Sequence, residues 1–162
     1  MARALIVGCG CRGRELGKAL LAAGWQVRGT TRNPESVAAI ESAGIEPLVA
    51  DPDRVGEVLD GIEGVSLIYW LLASARGERE TVEALHGPRL ERLLEEIVDT
   101  PVRGFVYEAT GEVDPELLVG AMEIMRSASQ RWRIPFEVVD VSQADDALWR
   151  EAMLAAAREL VG

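Results

Sequence analysis

Three glycines, Gly8, Gly10 and Gly13, stand in a G-x-G-x-x-G spacing near the start of the chain. Each position has a mechanical meaning. The first permits a tight turn, and the second lets backbone approach a pyrophosphate with no Cβ in the way. The third lets the following helix pack close on the preceding strand. The N-terminus of that helix then offers unpaired N–H groups and the positive end of its dipole to phosphate oxygens. Cys11 and Arg12 complete the loop. A strand-to-helix turn without a ligand uses the same glycines, so the meaning depends on the elements to either side.

A second group lies at Thr30-Thr31-Arg32-Asn33. An NAD site places Asp or Glu roughly 20 residues past the glycines, to accept from the adenosine ribose. No carboxylate occurs between Gln26 and Pro34. Arg32 instead suits a bidentate contact to a 2′-phosphate, with Thr31 as a hydroxyl donor and Arg12 as a second guanidinium. This favours NADP over NAD as cofactor; in the plainer alternative Arg32 starts a solvated turn.

Catalytic candidates are sparse. Thr110 is a hydrogen-bond donor for a carboxamide or carbonyl. Glu108 and Glu112 sit near the end of a strand where such sheets bind ligands, although acids there are more often solvated. His86 offers acid–base chemistry, but in His86-Gly87-Pro88 it reads more simply as a helix break. Ser74 and Arg76 follow the fourth strand, where Arg76 is a candidate for a substrate anion. Cys9 and Cys11 lie near a helix N-terminus, which lowers a thiol pKa, but cysteine also fits a tight loop simply as a small residue.

The elements that must position these residues alternate strand and helix. Strands are expected at Ala4–Val7, Gln26–Thr30, Glu46–Ala50, Val65–Leu72, Gly104–Ala109 and Phe136–Val141. Apolar spacing predicts a first helix over Arg14–Ala23, stopped by Gly24, and a second opened by Asn33-Pro34 and ended before Gly44. A short helix follows near Val55–Leu59, then a helical region broken at His86-Gly87-Pro88. Two longer helices, from Pro115 to about Trp132 and from about Asp145 to Val161, follow. The stripes Leu90–Ile97 and Leu118, Met122, Met125 read as core or as dimer-facing surfaces. Six strands with crossover helices imply an α/β fold: a doubly wound parallel six-stranded Rossmann sheet, one domain over residues 1–162.

Composition excludes several classes. The chain has 162 residues, 48% of them hydrophobic and 27% charged, which excludes a disordered chain. Its net charge of −10 argues against nucleic acid as a partner. That charge is unevenly placed: residues 1–34 hold six basic groups and one acid, against 11 and 26 in the remainder. A positive island in an acidic chain points to a small bound anion. No apolar run approaches the ~20 residues of a membrane span, and no export signal is recognisable. With two cysteines and one histidine, neither a disulfide framework nor a zinc site of usual make-up is expected. The expectation is a cytoplasmic protein without metal.

With these residues in place the sequence resembles a known family. Residues 4–13, ALIVGCGCRG, and 24–34, GWQVRGTTRNP, are similar to the NAD(P)-binding half of atypical short-chain dehydrogenases/reductases, in the subgroup with a GCGxxG loop and a TR ending to strand two. The resemblance implies a cofactor site built from Gly8, Gly10, Cys11, Arg12, Gly13, Thr31 and Arg32. It further implies Asp51 at the adenine amine, Leu72 and Ala73 lining the ribose and diphosphate, and Thr110 facing the nicotinamide. It also implies a Tyr-x-x-x-Lys pair, which is not found: Ala73 lies four residues after Tyr69, Gly111 four after Tyr107, and the only lysine is Lys18. The extra C-terminal structure that builds a substrate pocket in such reductases is not expected either. Three functions fit: a small NADP-dependent oxidoreductase acting on an unknown small-molecule carbonyl or quinone, a non-catalytic NADPH-binding module that reports to a protein partner, and a paralogue that keeps the fold without the ligand.

Overall fold

The computed structural model describes residues 2–162. Its elements run β1 Arg3–Val7, α1 Cys11–Ala22, β2 Gln26–Thr31, α2 Val37–Ser42, β3 Glu46–Val49, α3 Val55–Leu59, β4 Leu67–Trp70, α4 Arg79–Leu85, α5 Pro88–Glu96, β5 Gly104–Glu108, α6 Pro115–Trp132, β6 Phe136–Val139 and α7 Asp146–Val161. All strands are parallel, in the order β3-β2-β1-β4-β5-β6. This is the six-stranded Rossmann order, which reverses direction between β1 and β4.

Helices cover both faces, so the central strands are apolar on both sides. On one face α1, α2 and α7 bury Leu16, Leu20, Ile40, Trp149 and Met153 against Ile6, Tyr69 and Val106. On the other, α3, α5 and α6 bury Val58, Leu90, Leu93, Leu94 and Met125 against Leu5, Trp70 and Phe105. Each of these large side chains contributes roughly 1.5–3 kcal/mol on burial. The Leu90–Ile97 stripe is therefore core, not an outer surface. In the α6 stripe Leu118 and Met125 are buried and Met122 is only partly so.

Several boundaries depart from expectation for local reasons. α1 begins at Cys11, not Arg14, because Gly10 itself is the N-cap, with no side chain capping the first turn. β4 is shorter than Val65–Leu72: β1 turns away at Gly8, and only Leu71 N–H still reaches back, to Val7 O at 2.9 Å. Asn33 opens not a full helix but a 3₁₀ turn, Pro34–Ser36, by accepting from Glu35 N–H at 3.0 Å, and α2 follows as a six-residue helix. The His86-Gly87-Pro88 break is present, with Pro88 at the first position of α5.

No helix among the described residues is long and apolar enough to cross a membrane.

Candidate functional site

The glycine loop lies at the switch point of the sheet. Gly8 has φ +89°, and a Cβ there would stand 2.5 Å from the Leu71 carbonyl oxygen, so this glycine serves both the turn and the close approach of the β4 segment. A Cβ on Gly13 would meet Gly8 O at 3.2 Å and Ile6 Cγ2 at 3.4 Å, which explains the tight seat of α1 on β1. At Gly10 a Cβ would meet nothing within 4 Å. The chain's own packing therefore does not require a glycine at this position.

The hydrogen bonds of the loop show which amides are free. Gly8 N–H donates to Thr30 Oγ1 (3.1 Å), Cys9 N–H to Thr30 O (2.9 Å) and Gly10 N–H to Gly8 O (2.9 Å). Arg14 N–H makes the first helical bond, to Gly10 O at 2.8 Å. The amides of Cys11, Arg12 and Gly13 remain as the unpaired first turn of a helix, where a phosphate is best placed.

A cavity of about 280 Å³ adjoins this loop. It is lined by the candidates Gly8, Gly10, Arg12, Thr31, Arg32 and Leu72, joined by Arg14, Ser36, Ala50, Pro52, Ser74, Ala75 and Leu85. Cys11, Gly13, Asp51, Ala73 and Thr110 stand outside that lining. Asp51 is occupied locally: its Oδ1 accepts from Asp53 N–H at 2.9 Å, and its own N–H donates to Glu57 Oε1. Arg14, Ser36 and the apolar Ala50, Pro52 and Leu85 were not legible as site residues, since only the tertiary fold brings them to the glycine loop.

The basic island separates into two sets. Arg3 donates to Gln26, Arg28 pairs with Glu46 at 3.0 Å, and Lys18 pairs with Glu15 at 3.0 Å. Arg12 is turned toward β5, with Nη1 3.9 Å from Glu108 Oε2 and its guanidinium 5.4 Å from the Trp149 ring centroid. Arg12 thus reaches toward the β5 end while still lining the cavity that Thr31 and Arg32 border. Among the described residues, Arg14 and Arg32 have no carboxylate partner. Arg32 is exposed and donates only a long bond, 3.4 Å, to Arg76 O across the cavity. Thr31 Oγ1 holds the turn, accepting from Asn33 N–H at 3.1 Å.

Glu108 corrects the expectation of a solvated acid. It is fully buried, one oxygen accepting from Trp149 Nε1 at 2.9 Å, with the Gln143 amide and the Ala73 N–H close to the carboxyl group. Burial raises its carboxyl above the ordinary range, and the Arg12 charge opposes that rise. Glu112 is exposed, pairing with Arg76 at 3.6 Å. Thr110 has its carbonyl capped by Gln143 Nε2 at 2.8 Å.

His86 is a buried structural residue. Nδ1 lies 2.5 Å from Tyr107 Oη and Nε2 lies 2.8 Å from Leu72 O, an arrangement that suits a neutral ring donating from Nε2 and accepting at Nδ1. Desolvation lowers its pKa, opposed by the Leu72 hydrogen bond. Both tyrosines are fully buried, Tyr69 donating to Met153 O at 2.9 Å, and burial raises the pKa of each. Cys9 is buried beside Gly29, which suits a small residue filling a tight loop, and burial pushes its thiol up to about 12. Cys11 is exposed. No group of three or more His, Cys, Asp or Glu among the described residues is placed to hold a metal ion.

Solved structures share this architecture at low identity. A short-chain dehydrogenase/reductase superfamily protein from Agrobacterium tumefaciens with bound NAD aligns with a TM-score of 0.68 at 20% identity, over 84% of this chain and 48% of that one. UDP-glucose 4-epimerase from Thermotoga maritima aligns at 0.69 and 12%, over 84% and 54%. UDP-glucuronic acid 4-epimerase from Bacillus cereus in complex with NAD aligns at 0.67 and 15%, over 86% and 56%. The chain thus spans about half the length of each of these proteins. Among curated proteins none matches it. An NAD(P)H-binding family model matches residues 8–153, from the first glycine of the loop into α7. The chain belongs to the NAD(P)H-binding family, a Rossmann protein resembling the short-chain dehydrogenase/reductase and epimerase group.

Proposed function

We propose that this chain is a single NADP(H)-binding unit that prefers the 2′-phosphorylated cofactor. The observation that carries the reading is the pair Arg14 and Arg32, the two cations of the N-terminal island that line the cavity with no carboxylate partner among the described residues. The residues present fit such a ligand. Free amides at Cys11, Arg12 and Gly13, with the open side of Gly10, suit the diphosphate. Arg32, Thr31 and Ser36 suit the 2′-phosphate, and Ala50, Pro52 and Leu72 offer an apolar wall for adenine. NADPH is expected to bind at least ~10-fold more tightly than NADH, about 1.4 kcal/mol. Titration calorimetry with both cofactors tests this, and equal affinities refute it.

A non-catalytic role is favoured over an oxidoreductase by one further observation: the side chains suited to proton transfer are locked in the core, except Glu112, which is exposed, paired with Arg76 and outside the cavity lining. Tyr69, Tyr107, His86 and Glu108 are all buried and outside the cavity lining. A bound nicotinamide dinucleotide would supply hydride exchange, and a positioned acid contributes a further ~10²–10⁴-fold in such reactions. Thr110 is a hydrogen-bond donor but a weak acid. Aldehydes and ketones are therefore expected to be reduced slowly or not at all, and any turnover to be confined to quinones. Following NADPH consumption over aldehydes, ketones and quinones, with Thr110→Ala as control, decides between the readings. Fast aldehyde reduction would overturn the non-catalytic one.

A further inference from the structure

The cleft has two ends, and they differ. Over β3, β2, β1 and β4 it is open. Beyond β4, the loop segment 73–75 lies directly against segment 110–113. A Cβ on Gly111 would stand only 2.3 Å from Ala73 O, and Val113 N–H donates to that same carbonyl at 2.8 Å. Glu112 N–H donates to Ser74 Oγ at 3.1 Å. Gln143, from the loop between β6 and α7, crosses this junction. Its Oε1 accepts from the Ser74 hydroxyl at 2.9 Å, and its Nε2 donates to Thr110 O at 2.8 Å. Beneath it the end of β5 is filled by Glu108 and the indole of Trp149.

In a doubly wound sheet each half serves one mononucleotide, on either side of the switch point. Here the β1–β3 half adjoins a cavity, while the β4–β6 half is bridged by its own side chains. The open volume, about 280 Å³, lies just below the ~300–1,000 Å³ usual for small-molecule sites. Admitting a planar ring between Ala73 and Thr110 would break both Gln143 bonds and strip Ser74 and Thr110 of partners they now have.

We propose that the cleft recognises the adenosine half of its ligand, a nucleoside bearing a 5′-diphosphate and a 2′-phosphate, and leaves the nicotinamide in solvent. This rests on the NADP(H) reading above and sharpens it. A site that ignores the ring is indifferent to its oxidation state, so occupancy follows the total concentration of 2′-phosphorylated dinucleotide and not its redox ratio. Gln143 is the residue that enforces the exclusion.

The test is calorimetric titration of the whole chain with NADPH, NADP⁺ and 2′-phospho-ADP-ribose, which lacks the nicotinamide. The three dissociation constants are expected to agree within about tenfold, and the emission of NADPH is expected to stay at its free value on binding. A preference of more than about tenfold for either dinucleotide, or a rise in NADPH emission, overturns the proposal while leaving NADP(H) binding intact. Binding of none of the three overturns the NADP(H) reading and the proposal with it. Gln143→Ala should open the far end. NADPH should then gain more than about tenfold over 2′-phospho-ADP-ribose, whose own affinity should stay as in the wild type. An unchanged ratio in that variant overturns the role given to Gln143.

Discussion

Trp149 donates its indole N–H to Glu108 Oε2 at 2.9 Å, tying the last helix to the end of the fifth strand over a fully buried carboxyl group. Hydrogen bonds and the nearby Arg12 charge offset only part of the desolvation of this carboxyl group, so the contact marks a site where the fold tolerates a cost.

That cost has a pH signature. Burial raises the folded carboxyl above 4.5, its ordinary value. Below about pH 4.5 both folded and unfolded chains carry the proton, and no penalty exists. As pH rises past that point the unfolded chain ionises first, so Glu108 subtracts stability until the folded group ionises too. Glu108→Gln keeps an acceptor for Trp149 and removes the titration. The variant is expected to be more stable at pH 7 by on the order of 1 kcal/mol, with the gain gone at pH 4. Urea unfolding at the two pH values checks this, and a less stable variant at pH 7 refutes it.

His86 acts with the opposite sign. Its folded pKa is lowered, so stability falls as pH drops below the ordinary value of 6.5, where only the unfolded chain takes up the proton. His86→Ala leaves Tyr107 Oη and Leu72 O without their partner and opens a small void. A loss of about 2–4 kcal/mol is expected, with a flatter dependence on pH between 6.5 and 5 than in the wild type. Thermal melts across that range measure it. A variant as stable as the wild type would refute the structural role.

Two glycines of one loop should fail differently. Gly10→Val meets open space at a φ of −84°, so the variant should fold with wild-type cooperativity and lose dinucleotide binding. Gly8→Ala forces a side chain to φ +89° and against the Leu71 carbonyl, and should destabilise by roughly 2 kcal/mol or more. Circular dichroism melts and calorimetry separate the two. An unfolded Gly10→Val would show that the residue serves the turn.

Arg32→Ala should weaken NADPH by about tenfold while leaving NADH nearly unchanged. If both affinities fall together in calorimetry, Arg32 does not read the 2′-phosphate.

The sheet and its glycine loop were legible because they are written locally. Apolar runs such as Leu67–Trp70 must be buried strands, and Gly24 and Gly44 stop the helices that follow the first and second strands. The filled end of the site was not legible. Nothing near Glu108 in sequence predicts its burial, because its cover, Trp149, lies 41 residues away. Gln143 sits in a polar loop like any other, and its two bonds to Ser74 and Thr110 exist only once three separate loops have met. The direction of Arg12 is of the same kind. Its loop position permits either side of the sheet, and the aromatic face of Trp149 with the buried Glu108 carboxyl group beneath it draws it to one.

The strand order also dictates how the chain must assemble. β1 pairs with β2 soon after synthesis, but its other edge waits for β4, since Ala4 stands opposite Leu67. Until then Leu5, Ile6 and Val7 present an unpaired apolar edge that any extended strand can join. Closure of that central seam spans three helices and two strands, a separation that slows folding. The β1–β4 seam is thus the strand pairing with the widest separation along the chain, and it ends at the glycine loop. A ligand bound against Gly8 and Gly10, at the end of β1, would therefore stabilise by mass action the seam that the chain closes over its longest span.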